Sequence, residues 1–195
     1  MHELLRNSLK LLCAHKVFAV IAVLSLALAL PLAAQDDPAV EAKRSECGPA
    51  DVSFDVKTDA TQHPLAQPEP GMALVYFLQD DSIFGARPRP TSRLAMDGAW
   101  VGATHSNSYF YLSIAPGEHH LCTEWQGAVL LGNGHHAAAL HFTAQPGASY
   151  YFGAENFFAR DAGLKVRFEA LDSDEALLLI RKFALSTSHP RREQP

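Results

Sequence analysis

The sequence predicts a mainly β protein: an antiparallel β-sandwich of about seven or eight strands with one C-terminal helix. Three observations carry that expectation. Short apolar or alternating runs recur from Asp51 to Leu171, turn dipeptides rich in Gly, Pro and Asp separate them, and a run of helical period appears only near the end.

The elements follow in order. Asp51 to Lys57 alternates, with Val52, Phe54 and Val56 on one side, as in a half-buried strand. His63 to Gly71 carries Pro64, Pro68 and Pro70 and reads as an extended linker, because proline fixes φ and removes a ladder donor. Met72 to Leu78 is a nearly continuous apolar run, as expected of a strand buried on both faces. Asp80 to Pro90 is a loop. Thr91 to Met96 then leads into Asp97-Gly98, a hairpin dipeptide suited to positive φ at both central positions, with Trp100 and Val101 on the return strand. Tyr109 to Ala115 and His119 to Trp125 are strands joined at Pro116-Gly117, and Ala138 to Gln145 is a strand ending at Pro146-Gly147. Tyr150 to Glu155 and Leu164 to Leu171 complete the set, the last being the cleanest alternation in the chain. Asp172 and Glu175 have capping-box spacing, and Ala176, Leu177, Ile180 and Phe183 follow at helical spacing. The apolar face of this helix is expected to cover a sheet edge or an open end of the sandwich.

The N-terminus has the layout of an export signal. Arg6, Lys10 and Lys16 precede the apolar run Val17 to Leu30, Pro31 breaks the run, and Ala33 and Ala34 supply small residues before Gln35. Cleavage after Ala34 is expected; the alternative is an uncleaved signal kept as a membrane anchor. Cys13 precedes the apolar run, so it is not a lipid-carrying cysteine of the kind that follows one. The expected organisation is therefore a signal peptide at 1–34, an N-terminal spacer with one strand and the Pro-rich linker at 35–71, a sandwich with its helix at 72–185, and a flexible tail at 186–195.

Charge narrows the function. From Gln35 onward 13 Lys and Arg face 20 Asp and Glu, a net charge near −7. Such a chain has no electrostatic reason to bind nucleic acid. Cys47 and Cys122 are the two cysteines beyond the signal. An oxidising compartment favours their pairing, and neither belongs to a Cys-x-x-Cys motif.

The stretch from Arg93 to Trp125 carries a family resemblance. Leu94-Ala95-Met96-Asp97-Gly98-Ala99-Trp100-Val101-Gly102 is similar to the opening of the PEGA-type surface domain, and Pro116-Gly117-Glu118-His119-His120-Leu121 to its later turn. With Tyr109-Phe110-Tyr111 and Cys122, the arrangement resembles the bacterial domain of unknown function 2846 over roughly Met72 to Leu171. The resemblance implies an exported or envelope-associated β-sandwich and implies no activity.

Candidate chemistry is sparse. If the strands near 120 and 140 are neighbours, His120, Glu124 and His141 could share a face, and imidazole with carboxylate suits zinc or copper. Against this, adjacent histidines on a strand point opposite ways, His119 sits at a turn position suited to local packing, and His135-His136 follows the loop Gly132-Asn133-Gly134. Trp100, Tyr109, Phe110, Tyr111, Trp125, Tyr150, Tyr151 and Phe152 are either a ligand platform or ordinary strand aromatics. No nucleophile elbow, zinc-protease motif or phosphate loop is present. The expectation is a non-enzymatic, cofactor-free envelope module in the periplasm or outside the cell. Its partner is an envelope protein, a glycan or the cell wall, met through the loops Asp80 to Pro90 and Gly127 to His136. The alternative is a periplasmic metal-binding protein using His120, Glu124 and His141.

Overall fold

The computed structural model describes residues 47–85, 87–126, 136–160 and 163–192, all within a compact unit running from Lys43 to Pro195. The expected signal and cleavage site, and most of the loop Gly127 to His136, lie outside the described residues.

Among the described residues ten strands and one helix follow in order: β1 (Val52–Asp59), β2 (Ala73–Asp80), β3 (Thr91–Met96), β4 (Ala99–His105), β5 (Ser108–Ile114), β6 (Gly117–Gln126), β7 (Ala137–Ala144), β8 (Ser149–Ala159), β9 (Gly163–Ala170), α1 (Ser173–Ile180) and β10 (Ala184–Arg192). Six strands form one sheet in the order β1-β10-β5-β2-β8-β9, and four form the other in the order β4-β3-β6-β7. The mainly β sandwich and, among the described residues, the single helix after it match the expectation. The Asp97-Gly98 hairpin does too, with φ of 51° and 80° at its two central residues.

The core lies between the sheets. Alternation along β2 sends Val75 and Phe77 inward, where they meet Leu94 and Met96 of β3, Leu121 of β6 and Phe152 of β8. The other face of β2 is buried as well. Leu74, Tyr76 and Leu78 pack with Tyr109 beneath Ile180 and Phe183. This explains why the β2 sequence is an unbroken apolar run, and it makes a third layer. The helix therefore covers the middle of a sheet face, not an edge or an open end. Its first turn is capped by Asp172, whose carboxylate accepts from the Asp174 N–H at 2.8 Å. The Pro-rich segment lies across the same face: the Ala66 N–H donates to the Tyr76 hydroxyl at 2.8 Å, and the His63 ring bonds the Ile180 carbonyl at 2.9 Å.

Two further findings differ from the sequence expectation. The tail expected from residue 186 is strand β10, which pairs along its length with β1. Two pairings, β2 with β8 and β10 with β5, are parallel. Alternation reports which face is buried, not which way the neighbouring strand runs, so neither feature has a local signature.

β10 also closes one side of the sandwich. Ser186 Oγ donates to the Ala103 carbonyl at 2.9 Å, and the Ala103 N–H donates to Ser188 Oγ at 3.0 Å, tying β10 to the edge strand β4. Behind it, the Gln126 side chain brackets the Phe54 backbone, accepting from its N–H at 2.6 Å and donating to its carbonyl at 3.0 Å. Strand β1 is thereby drawn over the outward side chains of β6. At Gly102 on β4 a Cβ would stand 2.8 Å from the Phe110 ring, so glycine is what lets β4 and β5 approach this closely.

Candidate functional site

The end of the sandwich where β2 runs out holds a buried polar network. Gln79, Asp81, Ser92, Thr104 and Asn156 are all fully buried there. The Asp81 carboxylate accepts from Asn156 Nδ2 at 2.6 Å and from Gln79 Nε2 at 3.0 Å. Gln79 Oε1 accepts from Thr104 Oγ1 at 2.9 Å, and Asn156 Oδ1 accepts from Trp125 Nε1 at 2.8 Å. The Asp81 N–H donates to Asn107 Oδ1 at 2.8 Å. Burial raises the Asp81 carboxyl above the ordinary aspartate value, with the Asn156 and Gln79 hydrogen bonds pulling the other way.

This network is the root of the loop Asp80 to Pro90. Gln79 Nε2 also donates to the Pro90 carbonyl at 3.0 Å, so the loop's two ends are joined through one side chain. Phe84 turns inward from the loop, edge-on to Trp125, and packs with Leu164. Ile83, beside it, is 66% exposed, and Arg87 is exposed further along. Arg89 donates to Ser106 Oγ at 2.9 Å. Trp125 stacks on the His136 ring with centroids 3.9 Å apart.

Of the metal candidates, the structure brings two together and separates the third. His120 and His141 are directly opposite in the β6–β7 register, with ring centroids 6.1 Å apart. Glu124 lies on the same outward row but is engaged elsewhere. Its carboxylate takes Arg93 Nη2 at 3.2 Å and the Cys47 N–H at 3.4 Å. Among the described residues no three His, Cys, Asp or Glu side chains form a metal-holding group.

His119 behaves as a turn residue. Its Nδ1 lies 2.7 Å from Asp97 Oδ2 and its Nε2 lies 2.9 Å from the Ala115 carbonyl. Two oxygen acceptors ask both ring nitrogens to donate, which favours the imidazolium. The Asp97 bond accordingly raises His119 above the usual histidine value. The His120 N–H, and next His119, hold Asp97 below the usual carboxylate range.

Cys47 and Cys122 are joined in a disulfide with Cα atoms 5.3 Å apart. The bond fixes the segment before β1 onto the outer face of the four-stranded sheet. There Trp100 Nε1 donates to the Pro49 carbonyl at 2.8 Å, and the Arg93 guanidinium lies 4.2 Å from the centre of the Trp100 ring.

The aromatic candidates are core or half-buried. Tyr109, Phe110, Trp125 and Phe152 are buried, and Trp100 is covered by Gly48 and Arg93. Phe158, at the far end of β8, is the outward aromatic instead, 67% exposed. Its even position matches Phe152, Ala154 and Asn156 on the inward row, so alternation alone assigns it to the core.

Architecture and site together define a two-sheet β-sandwich whose end loop is rooted in a buried carboxylate–amide network. Residues 69–163 match the family model described as "Protein of unknown function (DUF2846)". This match, from β2 to the start of β9, supports assignment of that region to the family. No curated protein and no solved structure matches.

Proposed function

We propose that this is an exported, non-enzymatic module of the bacterial envelope that binds a protein, a glycan or the cell wall through sandwich-end loops. The described part of that surface is the loop Asp80 to Pro90, residue 86 apart. The observation that carries the reading is the contrast between Asp81, fully buried, and Ile83, 66% exposed two residues later. Burying a carboxylate is costly unless its oxygens are satisfied. Here that cost fixes where the loop leaves the sheet, so an apolar side chain and Arg87 are presented from a rigid base, as at binding loops generally. Both described oxygens of Asp81 are occupied by amides, a structural arrangement more than a catalytic one. The disulfide supports export to an oxidising compartment, in keeping with the signal-like N-terminus.

The alternative, a periplasmic metal-binding protein, rests on His120 and His141 alone once Glu124 is engaged by Arg93.

A photo-crosslinking residue placed at Ile83 in the full chain, expressed in cells, tests the loop. A control chain carries it at Lys182, exposed beyond the helix. Discrete adducts, or co-sedimentation with purified cell-wall sacculi lost in Ile83→Asp, are expected for the loop position. The reading fails if Ile83 gives no adduct and no sacculus binding, or if both positions label alike. Intact mass of the secreted chain checks export, with Gln35 as the expected first residue.

A further inference from the structure

We propose that His120 and His141 form an exchangeable two-histidine site for a borderline divalent cation, copper(II) ahead of zinc(II), on the outer face of β6 and β7. The proposal deepens the metal-binding alternative and is independent of the loop Asp80 to Pro90.

Backbone geometry is the first argument. The His120 carbonyl accepts from the Asp97 N–H at 2.8 Å, and the His120 N–H donates to Asp97 Oδ1 at 2.9 Å. Both backbone groups of His120 therefore point away from β7. Five residues along, at the opposite parity, the Trp125 N–H points toward β7, bonding the His136 carbonyl at 3.1 Å. His120 and His141 are thus a non-hydrogen-bonded cross-strand pair, the kind in which facing side chains stand closest. Their outward direction is common, because partners in register lie on the same face of the sheet.

Distance is the second. A metal–nitrogen bond of about 2.0–2.1 Å puts an imidazole centroid about 3.2 Å from the ion, so two rings on one ion have centroids roughly 4.5–6.4 Å apart. The observed 6.1 Å falls inside that range before any rotamer adjusts. His120 is 72% exposed at its side chain and His141 is exposed, so small rotations are free.

Chemistry is the third. Unlike His119, neither ring is enclosed between two acceptors, and imidazole suits copper, nickel and zinc. Glu118 lies two residues along the same row, its Oε1 4.0 Å from His120 Nε2, and adds negative charge beside the pair. The two histidines and the Cys47–Cys122 disulfide line a shallow depression of about 410 Å³, which gives the ion room to keep water ligands. As a disulfide, the sulfurs supply no thiolate, so the two imidazole nitrogens are the protein's share and water fills the remaining positions. That set fits a weak, exchangeable site instead of a closed structural one. The order of affinity for such nitrogen and oxygen donors places copper(II) first.

Titrating untagged, disulfide-intact protein with copper(II) and zinc(II) against a chelating dye tests the site. Binding of about one copper ion per chain is expected, tighter than zinc, with two-nitrogen coupling in the copper electron paramagnetic resonance spectrum. His120→Gln and His141→Gln should each weaken binding about tenfold or more, whereas Glu118→Gln should act less and His189→Gln not at all. Circular dichroism checks that the variants remain folded. Binding that survives in the His120→Gln/His141→Gln double variant overturns the proposal, and so does absence of binding in the parent. Either result leaves crosslinking at Ile83 unaffected, so the two readings fail separately.

Discussion

Removing the Cys47–Cys122 bond is the perturbation whose size follows most directly from the structure. The bond joins positions 75 residues apart, across β1, the Pro-rich segment and four more strands, and ends within β6. In the chain-entropy description a cross-link of that span removes about 4.5 kcal/mol of freedom from the unfolded chain at 25 °C, an upper value because real unfolded chains are already compact. Against a typical domain stability of about 5–15 kcal/mol, the loss is a large fraction. Cys47→Ser and Cys122→Ser should each lower the melting temperature by about 8–15 °C for a domain of this size. The double variant should match the singles, since the same bond is lost in each. If the unfolded state carries the effect, the urea m-value should rise in all three, because the released chain exposes more surface. Thermal and urea melts of the non-reduced protein measure both quantities. Two alkylatable thiols in the native parent would refute the tether outright. An unchanged m-value with the full stability loss would move the cause to contacts of the folded segment, such as Trp100 on Pro49.

Two further outcomes follow from the polar contacts. Asp81→Ala leaves Gln79 Nε2 with one acceptor and Asn156 Nδ2 deprived of its carboxylate inside the core, so urea melts should show a loss of about 2–5 kcal/mol. A loss under about 1 kcal/mol would mean that water replaces the carboxylate and that the loop is not rooted there. For the His119–Asp97 pair, a raised histidine value means stability complete below the unfolded value of 6.5 and lost as pH rises through the raised one. A lowered carboxylate value means the partner contribution disappears only as pH falls through that lowered value. His119→Asn should therefore flatten the stability–pH curve on the alkaline side of 6.5 by on the order of 0.5 kcal/mol, measured by urea melts across pH. An unchanged slope would show that the pair does not titrate with folding.

Strand positions were legible because each is written locally. Val52, Phe54 and Val56 name a face of β1, and Asp97-Gly98 names its turn through the φ values that it tolerates. Strand β10 was hidden for the opposite reason. Ala184 to Arg192 reads ALSTSHPRR, too polar to show a buried face, and it is a strand because β1 and β5 supply partners distant in sequence. The Asp81 network was equally invisible: Gln79 and Asp81, Thr104, and Asn156 come from three separate places in the chain. Isolated polar residues at strand ends look like solvated ones until the strands are placed. The reading of His120, Glu124 and His141 as one face was right about the face and silent about competitors. Arg93, which takes Glu124, is two strands' worth of sequence away.

Cys122 explains why that face divides where it does. On the outward row of β6 it stands between His120 and Glu124, two residues from each. Toward Glu124 the row is covered: Arg93 and the Cys47 N–H hold the carboxylate, and Gln126 brackets the Phe54 backbone. Toward Glu118 it is open, with the side chains of Glu118 and His120 66% and 72% exposed. The disulfide sets this boundary, because it is the point at which the segment before β1 meets the sheet and from which that segment leads away over Trp100. A cover anchored one strand position later would leave Glu124 in the open beside the histidines. Anchored where it is, the cover satisfies the carboxylate with Arg93 and leaves two imidazoles facing solvent, so the fold itself selects which of the row's donors remain available to an external ligand.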